Sequence, residues 1–153
     1  MLVVVNAREL CNQIHVVYDK IIKGTGITLA NFASDDKKPQ KIVITVHGTL
    51  ANMLEGRKAL DLSKIKCIVI DEADVFFTDD RNYEVIKKLH QYKHVKDTQP
   101  QWILFSATYP SNENEEIQKK IGSIIEEANQ IKLTPQSSME KLKGIQQFVM
   151  KCE

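Results

Sequence analysis

Residues 68–74 read Ile68-Val69-Ile70-Asp71-Glu72-Ala73-Asp74. A short unbroken run of β-branched apolar residues is the pattern of a strand covered on both faces, as in a parallel sheet flanked by helices. The run ends on two adjacent acids, delivered at the carboxyl end of the strand, where open α/β sheets place their ligands. In a nucleotidase that position has a chemical use. One carboxylate holds magnesium, usually through water, and its neighbour orients or deprotonates the attacking water. Burial of Ile68 and Ile70 would fix the strand, so that the scaffold itself positions the acids. The same residues also fit a plainer role, with Asp71 or Asp74 capping the helix that follows.

Outward from this segment the pattern repeats. Leu2–Val5, Ile27–Phe32, Lys41–Thr45, Lys66–Ile70 and Trp102–Phe105 each read as buried strands, rich in β-branched or aromatic residues. Helical patterns lie between them. Arg8–Lys23 places Leu10, Ile14, Val17 and Ile21 at helical spacing on one face, and Thr49–Arg57, Arg81–Tyr92 and Asn114–Glu127 are further helices. Strands alternating with helices predict an α/β fold, a mostly parallel sheet with helices on both faces joined by right-handed crossovers. Gln130–Leu133 reads as a last strand, Thr134–Leu142 as a linker around Pro135, and Gly144–Lys151 as one more strand. The chain opens directly on a strand with nothing before it to cap the sheet. The expectation is therefore a domain incomplete at its amino end, against the plain alternative that Leu2–Val5 is an edge strand.

Composition narrows the classes. The chain has 153 residues, 42% hydrophobic and 27% charged, enough for one domain with a real core. A formal net charge of +1 supplies no global positive field toward nucleic acid, although a local basic groove needs none. Cys11, Cys67 and Cys152 are odd in number and scattered, which suggests reduced thiols in the cytosol or nucleus instead of a disulfide framework. No apolar stretch approaches the roughly 20 residues needed to span a bilayer. The apolar start Met1–Val5 lacks the basic lead and small-residue cleavage site of a signal peptide.

A second segment carries chemistry. Leu104-Phe105-Ser106-Ala107-Thr108 again sets small hydroxyl residues after a buried strand. Those hydroxyls can bond a neighbouring strand's carboxylate, or simply cap a helix or turn. Taken together, strand–Asp-Glu-Ala-Asp followed by strand–Ser-Ala-Thr resembles the second and third motifs of the DEAD-box ATP-dependent RNA helicases. Two ordered matches in the right structural context make coincidence remote. An unrelated α/β nucleotidase or phosphotransferase would require that coincidence.

Other segments fall into register with that family, with departures. Asn6-Ala7-Arg8-Glu9-Leu10-Cys11 looks like the family's Pro-Thr-Arg-Glu-Leu-Ala segment, which contacts the RNA backbone. Arg8, Glu9 and Leu10 match, whereas Asn6 and Ala7 replace the Pro-Thr pair. Thr45-Val46-His47-Gly48-Thr49 occupies the place of the Gly-Thr-Pro-Gly segment and keeps only Gly48, with Thr49 able to add a hydroxyl. Ala33-Ser34-Asp35-Asp36 stands where a double glycine is usual. That departure, together with Lys143-Gly144-Ile145-Gln146-Gln147-Phe148, is nearest the mRNA-export subgroup.

The family's phosphate-binding loop, Gly-x-x-x-x-Gly-Lys-Thr, does not occur in these residues. Lys23-Gly24-Thr25-Gly26-Ile27-Thr28 is a near miss that follows a helix and enters a strand, the reverse of the strand–loop–helix order that aims N–H groups at phosphates. It reads as a helix C-cap turn, with Gly24 or Gly26 at positive φ. The upstream glutamine motif and the arginine motifs of a second domain are also absent. Four further groups have plainer readings. His90 and His94 share the i, i+4 spacing of one helix but lack a third metal ligand. Cys67 reads as core packing. Glu113, Glu115 and Glu116 suit a helix N-terminus. Lys37, Lys38 and Lys41 suit a charged strand approach.

The resemblance therefore implies a RecA-like domain of the P-loop NTPase type over residues 1–133, an interdomain linker over 134–143, and the start of a second RecA-like domain over 144–153. It implies ATP bound between two such domains and RNA held across both. Asp71 would help coordinate magnesium through water, and Glu72 would position the hydrolytic water. Asp74 with Ser106, Ala107 and Thr108 would link nucleotide state to domain closure. Arg8, Gly48 and Thr49 would meet the RNA backbone. This chain alone is expected to turn over ATP negligibly, and to self-associate or be poorly soluble through an unfilled place in its sheet. A cytoplasmic or nuclear setting, including the nuclear pore, follows from the subgroup. The rival expectation is a non-enzymatic RNA- or protein-binding module derived from a degenerate helicase domain.

Overall fold

The structure, a computed structural model, describes residues 1–31, 40–56, 61–107, 115–126, 131 and 133. Along the described chain run β1 (Leu2–Val5), α1 (Arg8–Ile22), β2 (Leu29–Asn31), β3 (Ile42–Val46), α2 (His47–Leu54), β4 (Cys67–Ile70), α3 (Ala73–Thr78), α4 (Asp80–Gln91), α5 (Lys93–Thr98), β5 (Gln101–Leu104) and α6 (Glu115–Ile124). The five strands form one sheet in the order β2-β3-β1-β4-β5, and every pairing is parallel. The expected α/β architecture is present, with β1 at the centre of the sheet and not at an edge.

Register explains the core. Leu2 pairs with Val43 on one side and Ile68 on the other, and Ile68 pairs with Trp102. Because side chains alternate across a strand, this row and the row two residues on (Val4, Ile70, Leu104) face one layer, where they meet Phe76, Phe77, Ile86, Leu89, Ile121 and Ile124. The odd row, Val3 with Ile44, Val69 and Ile103, faces the other layer under Leu10, Cys11, Ile14 and Tyr18 of α1. Helices thus cover both faces, α1 on one side and the remainder on the other.

Three expectations need correction. Val17 and Ile21 do not join the buried face of α1 but stand 51% and 68% exposed. The stripe over the sheet runs Leu10, Cys11, Ile14, Tyr18, and Cys11 Sγ donates to Asn31 Oδ1 at 3.1 Å. His90 and His94 do not share a helix, since Tyr92 ends α4 in extended geometry and begins α5. His90 packs its ring on Trp102 at 5.9 Å, and partial burial lowers its pKa. The strand expected at Gln130–Leu133 is not formed at Ile131 or Leu133, which are 89% and 92% exposed, while Gln130 and Lys132 lie outside the described residues. The linker and second-domain segments, 134–143 and 144–153, also lie outside them.

The glycine turn behaves as expected. Gly24 and Gly26 take φ of +81° and +69°, and Thr25 closes the end of α1 by donating through N–H (3.0 Å) and Oγ1 (2.6 Å) to Ile22 C=O. The near-miss phosphate loop is a helix C-terminus.

Candidate functional site at the carboxyl ends of the strands

The two acids emerge where the sheet ladder gives out. Asp71 N–H still donates to Val4 C=O at 3.1 Å, so its backbone belongs to the β1 side of the sheet. On the β5 side Phe105 N–H donates to Ile70 C=O at 2.9 Å, and Ala73 N–H donates to Phe105 C=O at 2.8 Å. Between these anchors Glu72 must reverse the chain, which it does at φ 53°, ψ 49°, the left-handed region that side chains other than glycine enter at a cost. Asp71 Oδ1 accepts the Glu72 N–H at 3.0 Å and thereby fixes its own carboxylate. Neither Asp71 nor Asp74 caps α3: the N-cap position is Glu72, with no side-chain cap. The capping alternative is set aside.

Asp74, in the first turn of α3, and Ser106, just past β5, line one narrow crevice with Ala73, Phe77, Leu104, Ile117 and Ile121. The structure so brings together two of the residues expected to communicate; Ala107 follows, exposed, and Thr108 lies outside the described residues. The crevice is roofed by α6, which is held to α4 by polar contacts. Lys120 Nζ donates to Asp80 Oδ1 at 2.7 Å and contacts Glu116 Oε1 at 2.9 Å, over the Tyr83 ring. Those two carboxylates raise the Lys120 pKa. Tyr83 Oη and Ser123 Oγ share a further hydrogen bond of 2.8 Å. Glu115 and Glu116 occupy the first turn of α6, as a helix dipole favours, whereas Glu113 lies outside the described residues.

A second, open cleft of about 430 Å³ lies at the ends of β1 and β3, lined by Asn6, Arg8, Val46, His47, Gly48, Thr49 and Asn52. Arg8, Gly48 and Thr49, from two segments far apart in sequence, meet here. Parallel pairing of β1 with β3 puts Val5 beside Val46, so the helices that follow start side by side. Neither α1 nor α2 has a side-chain N-cap, so first-turn N–H groups are left to serve a ligand. Two such N-termini and a guanidinium make an acceptor for anions.

The apolar spacing starts α2 at Thr49, but the structure begins it two residues earlier at His47, which moves the first-turn N–H groups to His47, Gly48 and Thr49 beside the cleft. Sequence reasoning also missed Asn52, one helical turn past Gly48; i, i+4 spacing was the available signal. Asn6 Oδ1 and His47 Nδ1 are buried without a hydrogen-bond partner among the described residues. The His47 ring meets Phe76 of α3 edge-on at 6.2 Å, so the cleft rests directly on the helix that follows the acids.

Among the described residues no group of three or more His, Cys, Asp or Glu side chains could hold a metal ion. No helix among the described residues is long and apolar enough to cross a membrane.

Residues 1–117 match the DEAD/DEAH box helicase family. Among curated proteins, the ATP-dependent RNA helicase DBP5 of Mycosarcoma maydis is 32% identical, the match covering 96% of this chain and 31% of that protein. The ATP-dependent RNA helicase dbp5 of Schizosaccharomyces pombe is also 32% identical, covering 96% of this chain and 28% of that protein. The chain thus spans less than a third of the length of these relatives. Among solved structures, S. cerevisiae Dbp5 bound to RNA and ADP BeF3 superposes with a TM-score of 0.68 at 24% identity, over 87% of this chain and 33% of that one. A hypothetical ATP-dependent RNA helicase from Sulfolobus tokodaii superposes at 0.64 with 25% identity, over 82% and 38%.

Proposed function

Because this chain belongs to the DEAD/DEAH box helicase family, we propose that it is the RNA-gripping and water-positioning part of an ATP-dependent RNA helicase. The observation that carries this reading is the shared edge. The acids at β4, the Ser106 crevice and the Arg8 cleft all open at the carboxyl ends of adjacent parallel strands, joined through the Phe76–His47 contact.

In this reading RNA phosphates sit on the Arg8 guanidinium and the free N–H groups of α1 and α2. Gly48 allows close backbone approach and Thr49 adds a hydroxyl. Such contacts favour strand and shape over base sequence. Glu72, held out of the sheet by its left-handed backbone, orients the attacking water. Asp71, its carboxylate fixed by the Glu72 N–H, would help hold magnesium. Magnesium, when bound with ATP, neutralises charge that develops on the phosphates. Asp74 and Ser106, sharing a crevice under α6, pass the state of that region to domain closure, with Ala107 and Thr108 extending the same segment. Likeness to the DBP5 helicases supports assigning the whole protein to the mRNA-export subgroup, a reading that sets it in the nucleus or cytoplasm, including the nuclear pore.

This chain alone holds the cleft and the acids but no Gly-x-x-x-x-Gly-Lys-Thr segment. It therefore grips RNA without productive ATP turnover. The cleft also serves the second reading, a non-enzymatic RNA-binding module, favoured by the Asn6-Ala7 and Val46-His47 departures.

The test combines two measurements on this chain. Single-stranded RNA binding is followed by fluorescence anisotropy across a salt series, with Arg8→Gln as the variant. Loss of one phosphate contact should flatten the slope of log K against log salt by about 0.7. ATP hydrolysis with RNA is compared with Glu72→Gln. An unchanged salt slope in Arg8→Gln would remove the cleft from the RNA site, and RNA-stimulated turnover abolished by Glu72→Gln would overturn the inactivity of the chain.

A further inference from the structure

His47, the first residue of α2, brings an imidazole to the cleft wall it shares with Arg8, Gly48 and Thr49, at the place where the Gly-Thr-Pro-Gly segment has proline. Its Nδ1 is buried with no hydrogen-bond partner among the described residues, and so is Asn6 Oδ1. Asn6 and His47 directly follow Val5 and Val46, which are partners in the pairing of β1 with β3, so they occupy neighbouring positions across the sheet. Two unbonded buried polar atoms at neighbouring positions cost stability unless something satisfies them.

The protons on the ring decide what can. With its proton on Nε2, an imidazole presents Nδ1 as an acceptor, and two acceptors cannot bond each other. With the proton on Nδ1 instead, Nε2 is an acceptor and has nothing to offer a phosphate oxygen. Only the imidazolium donates from both nitrogens. Its Nδ1–H can then serve Asn6 Oδ1 while its Nε2–H serves a phosphate. We propose that His47 is a phosphate ligand of the cleft that takes up one proton from solvent as RNA binds, so that the chain grips RNA more tightly as pH falls. This inference rests on the Arg8 cleft being the RNA site.

The charged groups around the ring fix the sign. From α1, Arg8 faces the same cleft and opposes a second cation until a phosphate arrives between them. At the head of α4, Asp79 is close enough to feel the ring, its carboxyl held low by the Asn82 and Arg81 N–H groups and, more weakly, by His47. That carboxylate favours the imidazolium but is shared with Arg81, whose Nη2 lies 3.8 Å from it. Helix α3 sets Phe76 edge-on against the ring and places Asp74 in the other crevice. No other residue of α2 carries a charge. The arriving phosphate is therefore the charge that changes, and an opposite charge at hydrogen-bond distance favours the protonated ring. No other residue lining the cleft changes charge near neutral pH.

Fluorescence anisotropy with an oligouridylate, from about pH 5.5 to about pH 8 at fixed ionic strength, tests this on the 153-residue chain. Uridine bases stay neutral over that range, so a change in affinity belongs to the protein. The unaltered chain should bind about three- to tenfold more tightly at the acid end, the size of one charge-assisted contact. His47→Gln keeps a donor but takes up no proton, and should bind equally across the range. Asn6→Leu removes the inner acceptor and should show a shallower dependence. Urea midpoints at both ends of the range check that each variant folds. Calorimetry in two buffers of different ionisation enthalpy should show proton uptake on binding by the unaltered chain and none by His47→Gln, a difference that lost packing alone cannot produce. An affinity independent of pH overturns the proposal, as does a pH dependence that persists in His47→Gln. A dependence undiminished in Asn6→Leu overturns the pairing with Asn6. Arg8→Gln separates the two levels of the argument. An unchanged salt slope there removes the cleft as the RNA site and the inference with it, whereas a flattened salt slope beside a flat pH dependence defeats the role of His47 alone.

Discussion

Glu72 carries a cost that can be measured. At φ 53°, ψ 49° its Cβ crowds the following carbonyl oxygen, which costs roughly 1–2 kcal/mol in an L-residue. Glycine is free of that crowding but loses roughly 0.5–1 kcal/mol more backbone entropy on folding. The difference makes Glu72→Gly more stable than the parent by about 0.5–1 kcal/mol. With a urea m-value of about 1–3 kcal/mol/M, the midpoint should rise by about 0.2–1 M. Glu72→Gln keeps the Cβ and should unfold at the parent's midpoint. Glu72→Val adds a β-branch where positive φ tolerates it least and should unfold earlier. Gln99, at φ 45° on the end of α5 and remote from the acids, is the control, because Gln99→Gly relieves the same crowding. A midpoint for Glu72→Gly at or below the parent's, with Gln99→Gly raised, would refute the strain argument at the site. If the ordering holds, the chain keeps a destabilising carboxylate at the turn where glycine would be safer, as functional positions do.

Two further outcomes are expected. Asp79 accepts from Asn82 N–H and Arg81 N–H at the start of α4, and these bonds hold its carboxyl below the ordinary 3.8. Its folded pKa is depressed, so its stabilisation is fully present above 3.8 and is lost as pH falls through the lower folded value. Asp79→Ala should therefore lower the thermal midpoint at neutral pH and converge on the parent in strong acid; a gap that persists there would contradict the capping account. Phe76 is fully buried and backs His47, so Phe76→Ala should cost about 3–5 kcal/mol in urea unfolding and weaken RNA binding in whatever fraction stays folded. Full RNA affinity in that fraction would detach the cleft from α3.

Much of this was legible in the sequence because it rests on local signals. Apolar runs of β-branched residues gave five strands within a residue or two, since burial on both faces leaves no alternative pattern. Gly24 and Gly26 announced the end of α1 for the same backbone reason that fixes their positive φ. Asp71 to Asp74, and Arg8 with Gly48, could be placed at strand ends before any geometry was known. What escaped depended on partners distant in sequence. Helix α3 is six residues long and starts from a left-handed glutamate, so it carries too few turns to show a period. Val17 and Ile21 kept the helical spacing but fell outside the stripe that the sheet covers, because the buried row steps from Ile14 to Tyr18. β3 runs one residue past its apolar pattern to Val46, and α2 follows with no loop between, so His47 lies in the helix where the pattern suggested a turn.

The strand order bears on how the chain reaches this structure. β1 precedes the other four described strands in the sequence yet lies in the middle of them, with Leu2 registered against Val43 and Ile68. During synthesis β1 has no partner until β3 has emerged, and its second flank stays open until β4 does. A parallel sheet offers no hairpin to shorten that wait. The residues of β1 must then be joined to β3 and β4 across large loops before any pairing compensates the closure entropy. The slow step should accordingly be the docking of β1 between β3 and β4. A mutation such as Val4→Ala should slow refolding, whereas changes in α6, which closes over the finished sheet, should chiefly speed unfolding.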